Sequence, residues 1–301
     1  MDKLRYQLIH RLWNSCASYG AGLAEFLVSQ PLVIDHIAIL DFKSKYTGIH
    51  VLKRIFEMLD MQGMGSGYLP SKQNSFSWMA HPESFERSPT QAMAQIVIAD
   101  FDHEKLSLGV QNIIEKYSNF SRPFDENKLF KYISKIKAGD VSFIEPAVNL
   151  LVSYILTTDW PTPDLRDYQQ VFEENQLLAW VLLFGRRVNH FGLGVYTNKK
   201  FKDLDQFNNF LKTQHHIKFN ENEGMIKGGK HVGIAQSSTI GQLQAISLNG
   251  GLVKSKGSFV EFVWRYLRTT VAGGKPPHKL GDYFCGFIPA NADNVIESVY
   301  E

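Results

Sequence analysis

The sequence predicts an α+β fold in which one β-α-β-β-β module occurs twice, with a helical insertion between the two copies. Two apolar runs with strand character, residues 32–40 and 188–196, each carry a histidine near their start. An amphipathic helical pattern follows each run, at residues 48–59 and 204–211, and strand-like segments come after it. The roughly 80 residues between the copies show helical periodicity. Segregated strands and helices of this kind are typical of an α+β architecture.

The same pattern divides the chain into segments within one domain, residues 1–301. The expected segments are N-terminal helices at 1–30, a first module at 33–101, a helical insertion at 102–186, a second module at 187–267 and a C-terminal extension at 268–301.

Individual elements follow from local signals. In the first module three glycines predict turns after the helix: Gly63, Gly65 and Gly67. Strands are predicted at 76–79 and 95–99 in the first module, and at 217–219, 232–237 and 258–265 in the second. The insertion predicts helices at 106–117, 128–136, 145–156 and 164–184.

Composition excludes several classes of function. Of 301 residues, 44% are hydrophobic and 21% charged, and the net charge of +2 favours neither nucleic acid nor an anionic membrane as partner. Two cysteines do not make a disulfide framework and suit a reducing compartment. Charged residues interrupt the first apolar stretch, so no signal peptide is expected, and the most apolar run, 177–184, is far shorter than the ~20 residues of a spanning helix. A cytoplasmic protein is predicted.

The candidate functional residues are His36, His190 and Glu261. Both histidines occupy equivalent places in the two modules, and Glu261 lies in an apolar strand where an unpaired carboxylate is costly. Two imidazoles and one carboxylate form the facial triad that suits Fe(II), and the same set accepts zinc or manganese. The alternative to a metal site is a structural role for all three residues. Each histidine would then be a hydrogen-bonded core residue, and Glu261 would pair with Arg265.

Three short motifs carry a family resemblance: residues 35–38, 189–191 and 259–265. In this order, with a helical insert, they resemble the 2-oxoadipate dioxygenase/decarboxylase family of the vicinal oxygen chelate superfamily. The resemblance implies Fe(II) bound by His36, His190 and Glu261. It also implies that a 2-oxo acid and O2 react to give a 2-hydroxy acid and CO2.

The sequence departs from this family at one position. Family members carry an arginine four residues after the first histidine, suited to a substrate carboxylate, whereas this chain has Leu40. Either another cation replaces that arginine, or the part of the substrate that faces Leu40 is apolar. Arg265 is the first candidate, with a structural ion pair as its alternative, and Lys72 and Gln236 are further candidate substrate-binding residues.

Two other functions stay open at this point. A divalent ion on the same fold also supports isomerase, lyase or hydrolase chemistry. A non-catalytic relative that only binds a small molecule is the third alternative, which retention of all three candidate ligands opposes. The oligomeric state does not follow from the sequence.

Overall fold

The two modules join edge to edge in one eight-stranded mixed sheet, which confirms the predicted α+β class. The computed structural model describes residues 1–16, 20–271 and 277–300. Its strands are β1 Val33–Leu40, β2 Gln62–Leu69, β3 Asn74–Ala80, β4 Gln95–Phe101, β5 Arg187–Gly194, β6 Lys227–Gly229, β7 Ile234–Ser238, β8 Leu243–Leu248, β9 Gly251–Lys256 and β10 Phe259–Arg265.

The sheet order is β2-β3-β4-β1-β5-β10-β7-β6, and β8 and β9 form a separate hairpin. The first strand of each module runs parallel to the last, β1 with β4 and β5 with β10, while β1 and β5 meet antiparallel at the seam. Across that seam His36 lies opposite Gly192, and His190 lies opposite Ala38. The two histidines are therefore related by an approximate twofold axis between β1 and β5.

Helices cover the sheet. They are α1 Asp2–Cys16, α2 Ala21–Ser29, α3 Ile49–Met58, α4 Leu108–Ser118, α5 Glu126–Lys137, α6 Ile144–Leu156, α7 Leu165–Glu174, α8 Gln176–Phe184, α9 Leu204–Gln214 and α10 Pro289–Val295. Within the described ranges, none is long and apolar enough to cross a membrane.

Successive side chains of each strand point to opposite faces of the sheet, an outer face and an inner face. On the outer face, Ile37 and Ile98 pack in one cluster with Leu52 and Ile55 of the amphipathic α3. On the inner face, Leu40 belongs to a second cluster that also contains residues of α8 and of the C-terminal segment. Because α10 contacts β2 of the first module and both β6 and β7 of the second, it spans the inner side of the curled sheet.

The three glycines predicted to form turns, Gly63, Gly65 and Gly67, instead lie inside β2. Gly65 pairs with Trp78 and Gly67 with Phe76 on β3. A Cβ atom at either glycine would lie 2.4 Å from the facing ring. Gly65 and Gly67 leave room for aromatic side chains of the neighbouring strand, a role that turn statistics do not distinguish from a bend.

Two further predictions need correction, and one hairpin was missed. The helix expected at 164–184 is two helices, α7 and α8, because Asn175 adopts an extended backbone (φ −152°, ψ 100°) and its side chain caps α8 by accepting from the Leu178 amide. The strand expected at 217–219 is reduced to one bridge, Phe219 to Thr239. The β8–β9 hairpin was not predicted at all.

Candidate metal centre

His36, His190 and Glu261 come together on the inner face at the seam between the modules. All three side chains are buried, and one donor atom from each lies within 4.8 Å of the others. Nε2 of His36 is 3.7 Å and Nε2 of His190 is 3.5 Å from the same Glu261 oxygen, Oε2. Two atoms that each bind an ion at about 2.0–2.2 Å are at most about 4.4 Å apart, so a divalent ion fits between them.

A polar residue directly before each histidine orients its ring. Nδ1 of His36 donates to the Asp35 carboxylate (3.0 Å), and Nδ1 of His190 donates to the side-chain oxygen of Asn189 (2.9 Å). With Nδ1 used in this way, Nε2 of each ring carries the lone pair that a metal needs. Sequence reasoning missed these two residues, although a polar residue followed by histidine at equivalent places in both modules was a signal for them.

Glu261 is held by a short hydrogen-bonded chain. Nε2 of Gln236 donates to Oε1 of Glu261 (2.7 Å), and Oε1 of Gln236 accepts from Nδ2 of Asn291 (3.0 Å). The other oxygen, Oε2, faces the two histidines. Gln236 lines the cavity, but its amide nitrogen donates to the Glu261 carboxylate, so its first role is to position Glu261.

The residues opposite the histidines are small, as a metal site needs. A Cβ atom at Gly192 would lie 2.1 Å from Cε1 of His36. Ala38 occupies the corresponding place opposite His190. The seam thus provides space for two inward-pointing imidazoles that a larger residue at either position would displace.

The charges at this site favour a bound cation. Burial lowers the pKa of His36, but the charges of Glu261 and Asp35 outweigh it and raise that pKa to about 9. Burial lowers the pKa of His190 to about 3. Burial raises the pKa of Glu261, but His36 outweighs it and the pKa is lowered overall, so the carboxylate is ionised at neutral pH.

Arg265 does not line the cavity, and the prediction that it binds substrate is corrected. Its Nε and Nη2 donate to the two Asp35 oxygens at 2.7 Å each, and its Nη1 donates to two backbone carbonyls, of Phe284 (2.9 Å) and Gly286 (3.1 Å). Gln95 accepts from Nη2 at 3.2 Å in the amide orientation that also lets it donate to a carbonyl. All five N–H donors are then used. Alternation along the strand predicts that Arg265 lies on the same face as Glu261. It could not show that Asp35 binds the guanidinium group of Arg265.

Lys72 is also buried away from the cavity, so its predicted contact with substrate is corrected too. Its Nζ donates to Asp293 (2.9 Å) and Glu297 (3.1 Å), which lie in and just after α10. Lys72 therefore fastens the C-terminal segment, and that segment supplies part of the cavity wall.

A cavity extends from the two histidines and Glu261 toward this segment. The residues that line it beyond the polar end are mainly apolar, and they include Leu40, Leu69, Phe76, Val97, Phe287 and Ile296. Phe287 packs its ring against His36 (4.9 Å between centroids). The C-terminal extension thus contributes directly to the site, which the sequence did not indicate.

The strand register also identifies the module-one counterpart of Glu261. Glu261 lies beside Gly192, two residues after His190, and Val97 lies beside Ala38, two residues after His36. Val97 is therefore the module-one counterpart of Glu261. Only one of the two modules supplies a carboxylate.

Comparison with known proteins identifies the family. The family model for 2-oxoadipate dioxygenase/decarboxylase matches residues 25–277. The chain belongs to this family. The family predicted from the three motifs is thus confirmed.

Members of the family align with most of this chain. A 2-oxoadipate dioxygenase/decarboxylase of Arabidopsis thaliana is 25% identical over 283 residues, which span 90% of this chain and 69% of the relative. That relative is described as chloroplastic, and the cytoplasmic location expected from the sequence stays a prediction.

Solved structures confirm the fold. A hydroxyglutarate synthase from Oryza sativa, in complex with 2-oxoadipate, has a TM-score of 0.78 at 20% identity and covers 99% of this chain and 91% of its own. A glyoxalase superfamily protein from Ralstonia eutropha JMP134 has a TM-score of 0.74 at 16% identity, covering 87% of this chain and 82% of its own. The paired-module architecture is therefore that of the vicinal oxygen chelate proteins.

Proposed function

We propose that the protein is an Fe(II)-dependent dioxygenase that decarboxylates a 2-oxo acid, with His36, His190 and Glu261 as the metal ligands. The observation that carries the proposal is the buried convergence of these three side chains, with both Nδ1 atoms already engaged. Two imidazoles and one carboxylate are the ligand set of non-haem Fe(II) oxygenases. Membership of the 2-oxoadipate dioxygenase/decarboxylase family supports the reaction class.

The reaction balances without a further co-substrate. The bond between C1 and C2 breaks and C1 leaves as CO2. One atom of O2 completes a new carboxylate at C2, and the other becomes a hydroxyl group on C3. Oxidation at C2 and at C3 each provides two electrons, and together they reduce O2 fully.

The protein's own residues would hold the metal, orient the side chains that bind it and exclude water from the site. When bound, Fe(II) supplies open coordination positions for a 2-oxo acid and O2 and the electrons that start the reduction of O2. Asp35 and Asn189 keep the two imidazoles in the orientation that leaves Nε2 free, and Gln236 keeps Glu261 turned toward them. The apolar wall beyond excludes water from the reacting atoms.

Oxygen uptake by anaerobically iron-loaded protein, with a panel of 2-oxo acids, tests the proposal. We expect about one iron per chain and uptake that depends on a 2-oxo acid, with CO2 released in equal amount. Glu261→Gln should retain the fold and lose more than about 100-fold in uptake, beyond the 10–100-fold typical of changes outside the ligands. The exposed Glu57→Gln is the matched control.

Failure of every 2-oxo acid to stimulate uptake in iron-loaded protein would refute the dioxygenase assignment. Unchanged metal content in Glu261→Gln would remove that residue from the ligand set.

A further inference from the structure

We infer that the substrate is a monocarboxylic 2-oxo acid with an apolar side chain, not a dicarboxylic one. The inference rests on the proposed function and specifies the substrate class of the same site. It follows from the part of the cavity that lies beyond the metal ligands.

The cavity is polar at one end only. His36, His190, Glu261 and Gln236 form the polar end, where the 2-oxo and 1-carboxylate groups react. Leu40 lies on the same face of β1 as His36, two pleats along the strand, and so lines the wall where the rest of the substrate extends.

That wall offers a carboxylate no cation. Among the described residues that line the cavity there is no lysine or arginine. Asn74 is its one polar side chain beyond the metal end, and its Nδ2 donates to the Asp100 carbonyl (2.9 Å). Burial of a carboxylate without a cation or donors is strongly unfavourable.

Two buried cations, Arg265 and Lys72, already have carboxylate partners. Arg265 is paired with Asp35 behind the metal ligands. Lys72 lies between Asp293 and Glu297, so its single positive charge already faces two carboxylates. Neither cation is therefore free to pair with a second carboxylate on the substrate.

The C-terminal segment closes the apolar end. Ala292, Val295 and Ile296, from α10 and the turn after it, line the cavity together with Phe287. An alkyl group that replaces water against these side chains gains the free energy of apolar burial. The wall is therefore complementary to a hydrocarbon chain.

A matched pair of acids tests this inference. 2-Oxohexanoate and 2-oxoadipate have the same chain length and differ only in a terminal methyl group or carboxylate. Calorimetric titration of each into anaerobic Fe(II)-loaded protein measures binding, and oxygen uptake measures turnover. We expect 2-oxohexanoate to bind at least about 100-fold more tightly, because a buried unpaired charge is costly, and to have the higher kcat/KM.

The outcomes separate the inference from the proposed function. Equal or tighter binding of 2-oxoadipate, with oxygen uptake, would overturn the apolar specificity and leave the dioxygenase assignment intact. Preferential binding of 2-oxohexanoate without uptake by any 2-oxo acid would support the specificity and refute the dioxygenase assignment.

A change of one wall residue gives a second test. Leu40→Lys introduces a cation that should shift the ratio of the two binding constants at least about tenfold toward 2-oxoadipate. Leu40→Met, which conserves volume, should keep the wild-type ratio. Thermal melting establishes that each variant is folded. An unchanged ratio in folded Leu40→Lys would exclude Leu40 as a specificity residue.

Discussion

Arg265 binds Asp35 in a buried bidentate ion pair, with both donor–acceptor distances at 2.7 Å, and Asp35 in turn accepts a hydrogen bond from Nδ1 of His36. Burial raises the pKa of Asp35, but Arg265 and His36 outweigh this and keep it well below its usual range. A cation on β10 thereby fixes the orientation of a candidate ligand on β1, across the intervening strand β5.

Loss of this ion pair should destabilise the fold and weaken the metal site. Arg265→Met leaves the Asp35 charge buried without its partner, which typically costs roughly 3–5 kcal/mol. Metal affinity should fall roughly 10–100-fold, because His36 loses its fixed orientation. Urea unfolding and chelator competition measure the two effects.

Arg11→Met is the control, because the pair of Arg11 with Glu145 is exposed and contributes at most about 1 kcal/mol. A loss of stability in Arg265→Met no larger than in this control would contradict the role assigned to the pair.

Gly192→Ala should weaken metal binding by steric displacement alone. The new Cβ would lie 2.1 Å from Cε1 of His36, whose ring is confined by Asp35 and Phe287, so the ring must leave its position. We expect at least a roughly tenfold loss of metal affinity, as for other changes that disturb ligand orientation. Gly63→Ala, also in a strand, meets only Lys53 at 3.7 Å and should leave affinity unchanged. Wild-type affinity in Gly192→Ala would contradict the geometry of the seam.

Metal binding should release about one proton at pH 7.5. Without metal, the pKa of His36 is raised to about 9, so its ring is protonated, while the pKa of His190 is lowered to about 3, so its ring is neutral. Both rings must be neutral to bind a metal. Affinity should therefore rise roughly tenfold per pH unit between pH 6 and 8, and level off above pH 9.

Titration of Mn²⁺ in buffers with different ionisation enthalpies counts the released protons. Release of none, or of two, would contradict the difference in charge between the two histidines.

Lys72→Met should loosen the C-terminal segment without disturbing the metal ligands. Asp293 and Glu297 would lose the cation that fastens them to the first module. Hydrogen exchange of the amides at 289–299 should become faster, since an opening free energy reduced by about 1.4 kcal/mol corresponds to a tenfold rate. Lys105→Met, which breaks an exposed pair with Asp102, is the control. Unchanged exchange at 289–299 would show that Lys72 does not fasten the segment.

The three candidate ligands could be predicted from the sequence because each lies in a recognisable local sequence pattern. A histidine at the start of the first strand, repeated in two similar modules, does not depend on how the modules pack. Glu261 stood out because a carboxylate in an apolar strand requires a cation. Helix and strand order followed from periodicity in the same way, and the helix break at Asn175 was missed because a single extended residue leaves that periodicity almost unchanged.

Tertiary structure alone decided which cation pairs with which carboxylate. Alternation along a strand tells which face a side chain lies on, but its partner comes from another strand through the register of pairing. For that reason Arg265 was predicted to contact substrate and instead binds Asp35. Contacts more than 200 residues apart, such as Lys72 with Asp293, leave no periodic trace in the sequence. The sequence therefore determined the three candidate ligands and the absence of a cation at Leu40. The fold determined that no other cation takes its place among the described residues of the cavity.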